Sequence, residues 1–74
     1  MHKHRYRITI VGGLGEIGRK AFGDFLIDAN GTNTVLTGEL DQAGLYSTLN
    51  RILSLGFELA ELRRLPDGVR AGGA

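Results

Sequence analysis

Cysteine and tryptophan are absent from the 74 residues, proline occurs once, and the two histidines stand at positions 2 and 4. The lack of cysteine removes disulfides, iron–sulfur clusters, thiolate zinc and covalent thiol catalysis. Both imidazoles fall in residues 1–4, a stretch with little to bury that reads as a disordered N-terminal tail. A buried histidine-based active site therefore has no material, and neither enzymatic activity nor a cofactor or metal is expected. An excess of charge is missing too, since nine basic residues meet eight acidic ones for a formal charge of +1. So balanced a chain has no strong field to gather a polyanion or anionic lipid, which counts against nucleic acid and membrane as partners. No apolar run reaches the ~18 residues of a membrane span, and the start lacks the apolar core of a secretion signal. The cytoplasm is the expected compartment.

What remains is material for one small domain, because a domain takes roughly 100 to 200 residues. Arg5 to Val11, RYRITIV, alternates Tyr6, Ile8 and Ile10 against Arg5, Arg7, Thr9 and Val11, the period of a strand. In the following GGLGEIGRKAFGDF, Leu14, Ile17 and Ala21 recur at helical spacing while Gly18 and Gly23 interrupt or end it, which predicts a helix of about two turns. Phe25–Ala29, the turn pair Asn30-Gly31 and the β-rich Thr34–Leu40 predict a hairpin. Asp41 stands as an N-cap before a helix whose stripe is Leu45, Leu49, Ile52 and Leu53, with Thr48 and Arg51 largely off it; Gly56 closes that helix. A last strand, FELAELRRL, alternates from Phe57 and Leu59 and stops at Pro66. Residues 67–74, DGVRAGGA, read as a disordered C-terminal tail, leaving 5–66 as a single α+β domain.

Strand, short helix, strand, strand, longer helix, strand is the order of the split βαβ, ferredoxin-like (βαββαβ) two-layer sandwich, with strand order 4-1-3-2 and both helices on one sheet face. If the short helix does not form, the alternative is βββαβ with a single helix. The stretch VLTGELDQAGLYSTLNRILSLGFELAELRRLP, Val35 to Pro66, resembles the C-terminal half of a group of small uncharacterised proteins from high-GC bacteria. There a strand ending in TGE(L/V) and a DQA lead into a leucine-rich helix, a glycine and a final strand. The resemblance implies the fold and carries no functional residues.

One motif invites a functional reading. Gly13-x-Gly15-x-x-Gly18 follows a strand and opens a helical stretch, the setting of a dinucleotide-binding fingerprint. The crossover helix would have to end by Gly23, Asp28 comes ten residues after Gly18 and only fifteen after Gly13 where the ribose carboxylate belongs about 20 beyond the motif, and the chain cannot supply a multi-stranded parallel sheet. These glycines are therefore read as turning the chain off the first strand, with Gly12, Gly13 and Gly15 kept as a candidate anion or ligand loop. Asp24 and Asp28 read as solvated positions rather than a calcium pair. Arg5, Arg7, Arg63 and Arg64 could line neighbouring strands, yet that sheet face carries no aromatic on which a base would stack.

Three functional classes follow. The first is a non-catalytic protein-interaction or regulatory module acting as a homodimer or higher oligomer, with another protein as the other partner class. Its candidate interface is Val11, Leu26, Val35 and Leu62, all expected on or near the face without helices. The second is a small-ligand sensor resembling the ACT-type regulatory domains, which bind effectors near the first loop at a subunit interface. The third, less favoured, is a dimeric α+β barrel enzyme or a nucleic-acid binder.

Overall fold

The computed structural model describes residues 2–66, and the C-terminal tail expected at 67–74 lies outside the described residues. The strand β1 (His4–Ile10) buries Ile8 and Ile10 completely and half-buries Tyr6 on one face, as its alternation requires. It begins inside the segment expected as a tail. The short helix α1 (Gly15–Ala21) forms, so six elements follow in the order β-α-β-β-α-β, and the single-helix alternative does not describe the chain. α1 has no side-chain cap, and Gly18 is its one buried residue. What holds it are flanking anchors: Leu14 before it and Phe22 after it both sit in the core. Ile17, expected on the buried side, is 75% exposed, because Gly18 presents the bare backbone that approaches the core instead.

The hairpin of β2 (Leu26–Asn30) and β3 (Asn33–Leu40) closes on the pair Asn30 and Asn33, with Gly31 at φ +65° in the turn. A side chain there would crowd its own backbone, so glycine is the economical residue. Next comes the helix α2 (Gln42–Ser54), begun by Asp41, whose carboxylate accepts the Gly44 N–H at 2.7 Å. It ends with the Phe57 N–H on the Ile52 carbonyl and the Gly56 N–H on the Leu53 carbonyl, both at 3.1 Å, with Gly56 at φ +84°. These crossed bonds satisfy carbonyls that the helix leaves open. Phe57 is thereby drawn into the helix closure, and β4 (Leu59–Arg64) starts two residues later than its sequence pattern suggests.

The four strands make one antiparallel sheet in the order β2-β3-β1-β4, with β1 and β3 central. Buried side chains of β1 and β3 meet Leu14, Phe22, Phe25 and Ile52 in a single core. Phe22 and Phe25 pack edge to face with ring centres 6.0 Å apart, a favoured aromatic arrangement. The contribution of α2 differs from its apolar stripe. Ile52 is fully buried and Leu45 and Leu49 half-buried, but Leu53 is 64% exposed and Thr48, expected off the stripe, is only 2% exposed. Thr48 enters the core at little cost because its hydroxyl donates to the Gly44 carbonyl at 2.8 Å.

Candidate functional site

The glycine-rich loop and the β2–β3 hairpin face each other across a cleft of about 360 Å³ that includes Gly13, Gly15, Arg19, Asp28 and Asn33. Two side chains at the start of β3 fix the loop: the Gly12 N–H donates to the Asn33 carbonyl oxygen at 3.3 Å, and the Thr34 hydroxyl donates to the Gly12 carbonyl at 2.7 Å. Of the candidate loop residues, Gly12 is thus already hydrogen-bonded at both its backbone groups, while Gly13 and Gly15 border the cleft. The three motif glycines differ from one another. Gly15 takes φ +70°, a Cβ at Gly18 would lie 2.8 Å from the Leu14 Cβ and 3.1 Å from the Phe57 ring, and a Cβ at Gly13 would meet nothing within 4 Å. Gly18 is there for close packing, and a phosphate needs none of that. Asp24 and Asp28 border different clefts and do not converge. Among the described residues no cluster of three or more histidines and carboxylates could hold a metal ion.

On the face without helices, Leu26 stands opposite Thr37 and Val35 opposite both Asp28 and Thr9, with Val11 continuing beyond β1. That face is mostly polar. Arg5 and Glu39 pair across strands at 3.5 Å, and Glu61 and Arg63 pair along β4 at 3.5 Å, all four side chains more than half exposed. The arginine stripe is therefore interleaved with carboxylates, and Arg64 leaves it altogether, standing opposite Tyr6 on the helix-bearing face.

Leu62 does not join Val11, Leu26 and Val35. It stands opposite the fully buried Ile8, hence on the helix-bearing face. The cause is a β-bulge: Thr9 pairs with Glu61 but Ile10 pairs with Leu59, so Ala60 is an extra residue and the alternation counted from Phe57 changes phase. Leu59 and Leu62 consequently share a face, and both remain exposed, 37% and 39%. Every residue of β4 is exposed.

β4 is an edge strand, and of its residues only Arg64 borders a cleft with α2. Leu45 and Tyr46 border a cleft of about 400 Å³ together with Tyr6, Arg64 and the two histidines. That places the flank of α2 bearing them over the β1–β4 side of the sheet. Leu49 and Leu53 continue the flank at helical spacing. Its outer members, Tyr46 at 58% and Leu53 at 64%, stay exposed. The apolar side of α2 is thus wider than the side it buries. This flank, and the cleft that gathers His2, His4 and Arg64, were missed by sequence reasoning, since the first depends on the bulge and the second joins three distant segments. In it the Arg64 guanidinium lies 2.9 Å from His4 Nδ1.

A domain of unknown function, DUF8691, matches residues 5–63. The chain belongs to the DUF8691 family. The match spans four of the six elements whole, β1 without its first residue and β4 without its last. None of the curated proteins and none of the solved structures matches this DUF8691 domain. No helix of the described residues is long and apolar enough to cross a membrane.

Proposed function

We propose that the chain is a split βαβ, ferredoxin-like domain that serves as a non-catalytic interaction or regulatory module and works as a homo-oligomer. The observation that carries this reading is the unsealed edge of the sheet: Leu59 and Leu62 of the edge strand β4 lie exposed on the face that carries the core, and α2 also leaves Tyr46 and Leu53 exposed. Apolar area left wet in this way stabilises an association by roughly 25 cal/mol per Å² once covered, and a twofold pairing of identical copies is the commonest way to cover it. Native mass measurement of the purified protein is the test. A dimer supports the reading, and a monomer at every concentration removes it.

A second reading, a small-ligand sensor of the ACT type, is favoured by the cleft between the glycine loop and the hairpin, where Arg19 and Asp28 offer opposite charges beside exposed backbone. A metabolite-binding screen separates the two, because a sensor requires a saturable ligand and shifts of the amides of residues 12–15, whereas the interaction module requires only the oligomer.

A further inference from the structure

The backbone of β4 can be assigned group by group. The Leu65 N–H donates to the Arg5 carbonyl at 2.8 Å, and in an antiparallel ladder hydrogen-bonded and non-bonded pairs alternate. Continuing the register, Arg63 with Arg7 and Glu61 with Thr9 are also bonded pairs, so Glu61 and Arg63 direct their backbone groups to β1. Leu62, between them, turns its N–H and C=O to the outer edge.

A second β4 laid antiparallel along that edge must set outward-turned residues opposite one another. Near the strand centre three twofold registers do this. An axis at residue 61 opposes Glu61 to Glu61, and one at residue 63 opposes Arg63 to Arg63; like charges directly opposite are destabilising. An axis through Leu62 opposes leucine to leucine and sets Glu61 opposite Arg63 of the second copy twice, in the non-bonded positions where side chains come closest.

We propose that the domain self-associates through β4, antiparallel, on a twofold axis through Leu62, with a second copy of this chain as the partner. This rests on the reading of the chain as a homo-oligomeric module and gives that reading its surface. Charged residues on an edge strand commonly prevent pairing; here their order admits one register and rejects its neighbours. The bulge at Ala60 and Pro66, which has no N–H, bound the paired stretch on either side. On the core side Leu62 of the two copies meets across the axis, so the same axis covers a leucine that each copy leaves wet.

Because the chain has no cysteine, single cysteines report the register by disulfide formation. Opposed bonded residues have Cα atoms about 5.5 Å apart, within the roughly 4.4–6.8 Å that a disulfide spans. All three test positions are exposed, and circular dichroism verifies that each variant folds. Under mild oxidation Leu62→Cys is expected to cross-link to itself. Glu61→Cys and Arg63→Cys are expected to cross-link when mixed and not alone. Self-cross-linking of Glu61→Cys or Arg63→Cys with failure of Leu62→Cys overturns the register while the dimer, and the reading it rests on, stand; a wild-type monomer overturns both. A charge exchange gives an independent check: Glu61→Arg should weaken dimerisation about tenfold and the exchange Glu61→Arg with Arg63→Glu should restore it. A doubly exchanged chain as weak as the single variant contradicts the pairing.

Discussion

Single residues decide how tightly the first crossover can fold, and the glycines separate by what surrounds them. Gly18 has the Leu14 Cβ and the Phe57 ring within 3.1 Å of where a Cβ would stand, whereas Gly13 has open space and no positive φ. Gly18→Ala should therefore cost about 1–3 kcal/mol by overpacking, while Gly13→Ala should stay within about 0.5 kcal/mol of wild type; urea unfolding of the two proteins checks the contrast. A dinucleotide loop would show the opposite ranking in ligand binding. Arg51 is a second residue whose surroundings matter more than its type. Its guanidinium donates to the Ala21 carbonyl at 2.8 Å and lies 5.5 Å from the centre of the Phe22 ring, tying α2 to the open end of α1. Arg51→Met keeps the stem but loses the hydrogen bond and the ring contact, at an expected cost of about 1–3 kcal/mol read from the same unfolding curves.

At the scale of elements, α2 carries the clearest expectations. Ile52 is fully buried and Leu53 is 64% exposed although they are adjacent leucine-like positions of one stripe. Ile52→Ala should cost about 2–5 kcal/mol, while Leu53→Ala should leave unfolding of the isolated domain within about 0.5 kcal/mol of wild type. Asp41→Ala should cost about 0.5–2 kcal/mol by removing the acceptor of the Gly44 amide. The limits of α2 were legible in the sequence because an N-cap carboxylate and a left-handed glycine act within one turn of where they stand. Its facing was not, since the depth to which Leu49, Leu53 or Thr48 sinks depends on where the sheet below ends. The same holds for β4. Alternation from Phe57 and Leu59 would send Leu62 to the open face, and only the pairing with β1 discloses the extra residue at Ala60 that returns it to the core side. The glycine loop links β1 to α1, and its attachment to Asn33 and Thr34 joins segments more than 20 residues apart, a long-range contact with no local signal.

For the whole molecule, the core is closed by Leu14, Phe22, Phe25 and Ile52 and open at the edge strand β4, whose residues are all exposed. Val11, Leu26 and Val35 share a sheet face with the ion pairs Arg5–Glu39 and Glu61–Arg63, so the weight of the proposed interface moves from that face to the edge that carries Leu62. Charge at Leu62 should therefore weaken self-association more than charge at Val35, and charge at Ser54 least. Sedimentation of the wild-type protein beside Leu62→Asp, with the melting temperature followed against concentration, tests the central claim most directly. The wild type is expected to be a dimer at micromolar concentration whose melting temperature rises with concentration, and Leu62→Asp a folded monomer. A wild-type protein that sediments as a monomer throughout, with a melt independent of concentration, would contradict the account.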